Sequence, residues 1–354
     1  MLVEYQKSLM VTYAEKFFDE HQASIELAKK VGNSSFFVTG ATGLFGDWVL
    51  AFLLWTVKRK LAEPRIAVLS RHRPSVPLKS VQVIEEDVRT FELGSQKFDY
   101  LLHLAAPSAS DTYYGMDDLS KFDALNNGTR NVLNVAQTNV RGRTLVTSSG
   151  AVFGGFGFDR KKPIDERERF TVPFDAVNQG LCVGKKVTEF LVKQYCNKGY
   201  LDASIARCFS FVGPGLPTAL HYAAGNFAAD AVRGKEIVIQ GDGNVQRSYM
   251  YLGDMVFWLF HILFSGRSGE DYNVGSTEAV TLYQLASLIN QLSESKMGIK
   301  VIGKKNMSTG TPNNHYYVPC VRKANEDLGL VAFYDLHSAL KSFVEFEQAT
   351  ILKK

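Results

Sequence analysis

The stretch VTGATGLFGDW sets Gly40, Gly43 and Gly46 at three-residue intervals, after a β-branched and aromatic run and before a long apolar helical segment. Glycines in that setting allow a tight turn and let a pyrophosphate approach backbone N–H groups at a helix N-terminus, where the macrodipole favours an anion. The expected chemistry is dinucleotide binding, with Thr42, Leu44 and Phe45 completing the loop. A carboxylate closing the second strand would select NAD through the ribose hydroxyls, but LSRHRP supplies Ser70, Arg71 and Arg73 instead. Arginine can grip a 2′-phosphate or stack on adenine, so NAD and NADP both stay open as the cofactor.

Further motifs follow the glycine loop in a fixed order. They are EEDVR around Asp87 and Val88, LLHLAAPSA at 101–109, NNGTRNVL at 126–133, VTSSGAVFGG, ARCFSFVGPG and QGDGNVQRSYMYLGDM. From about residue 35 to about residue 330 the chain resembles an extended short-chain dehydrogenase/reductase of the nucleotide-sugar epimerase/dehydratase family. The resemblance implies that Asp87 and Val88 contact adenine, and that Leu104, Ala105 and Ala106 pass beneath the cofactor. It implies a nucleotide-sugar substrate held by Ser108, Ser149, Ser210, His221, Asn226 and Arg247, with the arginine meeting the phosphates. Leu125 stands where the family often has asparagine.

By the same resemblance, Ser149 hydrogen-bonds the reacting sugar hydroxyl and Lys185 binds the cofactor ribose while lowering the pKa of a neighbouring tyrosine. That tyrosine belongs four residues before Lys185, and Leu181 is there. Leucine cannot accept a proton. Cys182 is one helical step away, a rotation of about 100° off the face of Leu181 and Lys185. Tyr113, Tyr114, His221 or a desolvated Lys185 could serve instead. Gly150 and Ala151 occupy the positions of the Asp-Glu pair of 4,6-dehydratases, which disfavours that reaction. Epimerisation or keto-sugar reduction asks less of the site. Three readings remain open: an NAD(P)-dependent epimerase or keto-sugar reductase acting on a nucleotide-activated sugar, a catalytically silent homologue that binds the same ligands in a structural or regulatory role, and, behind both, a 4,6-dehydratase-like enzyme.

These residues need a scaffold, and the sequence supplies one. From residue 35 short apolar runs alternate with helical patterns, the signature of an α/β, Rossmann-type doubly wound parallel sheet. SSFFVTG, RIAVLS, SVQVIEED, FDYLLHLAA, GRTLVTSS and LDASIARCFSFVG read as six successive strands, with Lys185 and Glu189 on one face of a helix beginning near Asn178. The expected organisation is a helical extension over 1–34, a dinucleotide-binding domain over 35–212 and a smaller substrate-binding portion over 213–354 with segments returning to the first domain. The extension reads as a packing or dimer-contact element.

The chain has 354 residues, 45% apolar and 21% charged, with a net charge of +4 spread without a basic face, so a nucleic-acid partner is not expected. Cys182, Cys196, Cys208 and Cys320 lack C-x-x-C spacing and read as free thiols, with no metal site implied. The most apolar run, WVLAFLLWTV, is too short to span a bilayer, and the N-terminus does not read as a signal peptide, so a cytoplasmic protein without a membrane is expected. The family resemblance adds a homodimer through helices near 118–138 and 178–197, where Val187, Phe190, Leu191 and Gln194 recur at helical spacing.

Overall fold

The computed structural model describes residues 2–71, 81–107, 111, 114–154, 162–168, 179–220, 222–295, 297–303 and 316–351. The chain begins with helices α1 (Leu2–Glu20) and α2 (Gln22–Val31), then alternates β1 (Ser35–Thr39), α3 (Leu44–Lys58), β2 (Arg65–Ser70), β3 (Val81–Glu85), β4 (Phe98–His103), α4 (Asp118–Asn139) and β5 (Val140–Ser149). After a 3₁₀ turn at Gly150–Phe153 come α5 (Gly180–Asn197), β6 (Asp202–Cys208), β7 (Phe211–Val212), α6 (Ala223–Val232), β8 (Ile237–Ile239), β9 (Gln246–Arg247) and β10 (Met250–Tyr251). The last elements are α7 (Leu252–Ser265), β11 (Asp271–Val274), β12 (Val280–Thr281), α8 (Leu282–Leu292), β13 (Ile299–Val301), β14 (Tyr316–Tyr317), α9 (Arg322–Leu328) and α10 (Leu336–Ile351).

Seven strands form one sheet in the order β11-β6-β5-β4-β1-β2-β3, and the paired neighbours run parallel. The order reverses between β1 and β4, and in doubly wound sheets ligands bind at such a switch point, beyond the C-terminal strand ends. Parallel strands covered on both faces read as continuous apolar runs, which is why β1, SFFVT, is buried at every position. The sixth expected strand divides. β6 stays in the sheet, whereas β7 leaves it and pairs with β10 through Phe211↔Met250. Helix α5 starts at Gly180, and Asn178 lies outside the described residues.

The N-terminal extension packs on its own chain. Met10, Ala14, Phe17 and Phe18 are buried in the largest core cluster beside Trp48, Phe52 and Trp55 of α3. Phe17 lies where a β-carbon on Gly253 would come within 2.4 Å of its ring, so glycine there admits the aromatic. The Trp55 indole donates to Asp19 at 2.8 Å, and the Lys7 ammonium donates to Asp47 in the first turn of α3 at 3.2 Å. Burial lifts the Asp47 carboxyl to about 6, with Lys7 opposing the rise. The extension thus holds the helix on which the glycine loop depends.

Helices α4 and α5 pack on one another; a β-carbon on Gly184 would meet Leu125 at 2.6 Å. Of the α5 stripe, Leu191 is buried with Val187 against its own core, while Phe190 is 59% exposed and Leu119 of α4 is 81% exposed. Among the described residues no helix is long and apolar enough to cross a membrane.

Candidate active site

Gly43 caps α3 in an extended conformation, and the first turn of a helix leaves its N–H groups without intrahelical partners. Two neighbours make the close approach possible. Gly40 has φ +74°, and a β-carbon there would fall 2.5 Å from the Ala105 nitrogen; one on Gly46 would fall 2.3 Å from the Gly40 oxygen. Gly43 itself has room, its built β-carbon meeting only the Gly40 oxygen at 3.5 Å.

Beside this loop lies a cavity of about 730 Å³ lined by Gly40, Thr42, Gly43, Ser70, Arg71, Asp87, Val88, Leu104, Ala105 and Ala106. Ten of the expected cofactor contacts therefore share one space, whose size suits a drug-sized or larger ligand. Leu44, Phe45 and Gly46 do not line it. Their place is the first helical turn, and the Phe45 ring packs edge-on against Phe211 at 5.1 Å. Ser70 Oγ lies 3.3 Å from Thr42 Oγ1, and Arg71 approaches Asp111 at 3.9 Å. Asp87 is held by Arg89 through its backbone N–H at 2.8 Å and through Nε and Nη2 at 2.9 Å each. Those hydrogen bonds pull the Asp87 carboxyl down to about 2. Arg89 also donates to Asp123 of α4 at 2.9 Å, which joins the Asp87 segment to α4 at the cavity wall. Sequence reading passed over Arg89, though its spacing of two from Asp87 is the signal of such a local clamp.

The glycine loop, the helix terminus and the cavity fit a dinucleotide. No group of three or more His, Cys, Asp or Glu suited to a metal occurs among the described residues.

The other end of the site is built where β5 finishes. Ser149 accepts from the Ala151 N–H at 3.1 Å and caps the 3₁₀ turn. Lys185 is 5% exposed and donates to the Thr147 carbonyl at 2.7 Å. Burial lowers its ammonium to about 8, against the pull of Cys208 and Glu189, while burial lifts the Cys208 thiol to about 12. His103, at the end of β4, bonds Thr39 at 2.8 Å and Thr129 at 3.4 Å; burial and then Lys185 push it down to about 3, so it is neutral. Glu189 accepts from Ser148 at 2.7 Å and from Arg207 Nε and Nη2 at 2.8 and 2.7 Å, and Arg207 meets Asp271 at 2.6 Å. This buried chain of charge locks α5 to β5, β6 and β11 and so fixes the height of Lys185.

Leu181 is 38% exposed, at the outer end of the face that carries Lys185. Cys182 is buried, hydrogen-bonded with the Gly154 backbone, and burial raises its thiol. Asn226 donates to the Leu220 carbonyl at 2.8 Å, and the Ser210 carbonyl accepts from Met250 at 3.0 Å. Arg247, in β9, donates to the Gln246 carbonyl at 3.0 Å and sets its guanidinium 5.4 Å from the centre of the Tyr317 ring. Tyr114 is 80% exposed. Arg73, Ser108, Tyr113 and His221 lie outside the described residues.

Tyr317 was not foreseen. Strand β14 pairs in parallel with β9, placing Tyr317 opposite Arg247, and the Phe209 ring packs on the phenol at 4.8 Å. The phenol is hydrogen-bonded with Ser149. A β-carbon on Gly150 would come within 2.2 Å of its oxygen. No spacing in the sequence predicts this, because the residue arrives by strand pairing from far along the chain.

Comparison with known proteins adds the family. The chain is 28% identical over 236 residues to UDP-glucuronic acid decarboxylase 6 of Arabidopsis thaliana, covering 65% of this chain and 64% of that relative. It thus spans just under two thirds of that relative's length. Its fold matches an epimerase from Methanothermobacter thermautotrophicus with a TM-score of 0.78 at 20% identity, covering 94% of this chain and 97% of that one. It also matches UDP-glucose 4-epimerase of Thermotoga maritima, solved with UDP-glucose, with a TM-score of 0.76 at 20% identity over 90% and 99% of the two chains. The model of the NAD dependent epimerase/dehydratase family matches residues 36–275, the stretch that builds the glycine cradle, and the chain belongs to that family.

Proposed function

We propose that the protein modifies a nucleotide-activated sugar by hydride transfer with NAD or NADP, as an epimerase or keto-sugar reductase. The observation that carries this reading is the convergence of Ser149, Tyr317 and Arg247 at the end of β5 in a chain with a dinucleotide cradle. A bound nicotinamide supplies a hydride donor or acceptor. Gly40, Gly43 and the first turn of α3 hold its pyrophosphate, and Asp87 and Val88 flank the adenine. Ser149 orients the reacting oxygen, and Arg247 pairs with the phosphates of the nucleotide sugar. Lys185, whose ammonium burial lowers to about 8, would bind the cofactor ribose and carries a tunable positive charge at the end of β5.

A second reading takes support from Gly150 and Ala151 and from the decarboxylase relatives. A hexuronic acid oxidised beside its carboxyl-bearing carbon is a β-keto acid, which releases carbon dioxide without a dedicated acid–base pair. UDP-glucuronic acid is therefore a candidate substrate alongside neutral hexoses.

The test is to denature the purified protein and identify released nucleotides by mass spectrometry, and to titrate the stripped protein calorimetrically. A nicotinamide dinucleotide together with a nucleotide sugar is expected. Failure to release either, with no heat from NAD+, NADP+, UDP-glucose or UDP-glucuronic acid, would overturn the reading.

A further inference from the structure

We propose that the Tyr317 phenol is the proton-transfer group of this site, delivered by β14 to the place that a helix-borne tyrosine would otherwise serve. The inference rests on the hydride-transfer reading and adds the residue that makes it chemically complete. Leu181 leaves the position four before Lys185 without a phenol, yet the described residues hold one at the same serine: Tyr317 is hydrogen-bonded with Ser149, and no side chain at position 150 intervenes. Gly150 is required there, since even a β-carbon would collide with the phenol oxygen at 2.2 Å and its ring carbon at 2.7 Å.

Three features hold the ring. Parallel pairing of Tyr317 with Arg247 fixes the backbone, Phe209 packs on the ring, and the Arg247 guanidinium lies over it at 5.4 Å. Cys208 faces both ends of the arrangement, within electrostatic reach of the Lys185 ammonium and of the phenol. Burial raises the phenol above its ordinary value, against Ser149 and Arg247, so it rests protonated. A protonated phenol is a donor, which favours the reducing direction. As the carbonyl carbon of a keto-sugar takes hydride from a reduced nicotinamide, Tyr317 gives its proton to the carbonyl oxygen. The phenol O–H breaks, the sugar O–H forms, and Arg247 stabilises the phenolate until solvent returns a proton. Ser149 bridges the two oxygens. In an epimerase cycle the order is reversed: the phenolate, its proton first lost to solvent, takes the sugar hydroxyl proton as hydride leaves for an oxidised nicotinamide, and the phenol returns that proton when hydride comes back to the other face.

Tyr317→Phe keeps the ring packing and removes only the hydroxyl. It is compared with the wild type in six combinations: UDP-4-keto-6-deoxyglucose with NADH and NADPH for the reducing direction, and UDP-glucose and UDP-glucuronic acid each with NAD+ and NADP+ for the oxidising one. Calorimetry reads binding, absorbance at the nicotinamide band reads hydride transfer, and fluorine resonances of 3-fluorotyrosine protein, assigned by the signal missing from Tyr317→Phe, read the phenol itself. The expected result is binding within about threefold of wild type, hydride transfer lower by ~10²–10⁴, and a Tyr317 resonance that moves when a nucleotide sugar binds. Equal transfer rates or a resonance indifferent to every bound sugar would overturn the phenol's role and leave hydride transfer standing, whereas bound ligands with no transfer in the wild type would overturn the hydride-transfer reading itself. Absence of binding by any of the six combinations would likewise overturn that reading.

Discussion

The two ends of the site are made differently. The glycine cradle is local: Gly40 to Gly46 and the helix that follows occupy one short stretch, and Gly40 and Gly46 are each held to glycine by a backbone neighbour. The chemical end is assembled from Ser149 on β5, Lys185 on α5, Arg247 on β9 and Tyr317 on β14. A local device tolerates little change in residue type, whereas an assembled one can lose a group from one element and receive it from another. On the proposed role of Tyr317, Leu181 and Tyr317 are such an exchange, with the cradle untouched.

The sharpest way to break the comparison is at the cradle, where the two kinds of glycine should separate. Gly46→Val drives a branched side chain into the Gly40 oxygen and Ala41 Cα, at 2.3 and 2.5 Å from the β-carbon alone. We expect it to cost about 4 kcal/mol or more of stability, the range of severe backbone clashes, together with all dinucleotide binding. Gly43→Val meets no such neighbour, has φ −84°, and should fold with a normal melting temperature. Its side chain enters the cavity wall, and dinucleotide affinity should fall ~100-fold, about 2.7 kcal/mol. Thermal unfolding and calorimetry on the pair decide it; similar behaviour of both variants would mean that the loop is only a structural turn.

Between the two ends stands His103, which joins β1 and α4 through Thr39 and Thr129. Its folded pKa lies near 3 against an ordinary 6.5, so between those values the unfolded chain binds the proton and the folded chain does not. Stability is therefore complete above 6.5 and falls as pH drops through the window toward 3, by up to about 1.4 kcal/mol for each pH unit from this group. Denaturant unfolding from pH 7.5 to 5 should show that slope in the wild type and a shallower one in His103→Gln, which retains hydrogen bonding to both threonines. Identical slopes would show that other groups dominate the acid limb.

The contrast also explains what could be read from the sequence. β1 and β2 were legible because buried parallel strands are continuous apolar runs, the edge strand β3 by its β-branched VQVIE run, and the glycine loop because its conformational demand falls on one residue type. The split of LDASIARCFSFVG was not legible, since nothing in that run marks where β7 turns away to Met250. Arg207 carried a signal that went unread: an arginine inside an otherwise apolar strand must find buried carboxylates, and Glu189 and Asp271 are those partners. Tyr317 carried none. Its partner Arg247 is remote in sequence, and two-residue strands have no period to detect.

The smallest effect concerns Arg71, which we propose bears on the choice between NAD and NADP. Its side chain is 64% exposed, lines the cavity at the end of β2, and lies 3.9 Å from Asp111, so its charge is screened and only loosely committed. An exposed pair of this kind is worth roughly 1 kcal/mol or less, and a charge-assisted contact to a phosphate somewhat more. If Arg71 meets a 2′-phosphate, Arg71→Ala should weaken NADP+ by ~5–20-fold, roughly 1–2 kcal/mol, and leave NAD+ within about twofold. If the guanidinium stacks on adenine, both dinucleotides should lose affinity equally, because the ring is common to them. Calorimetry with the two dinucleotides at two salt concentrations separates the cases further: only the phosphate contact should weaken steeply as ionic strength rises, since a planar stack gains little from unscreened charge. A variant that binds both as the wild type does would remove Arg71 from the cofactor site and leave the selection to Ser70 and the residues that follow it.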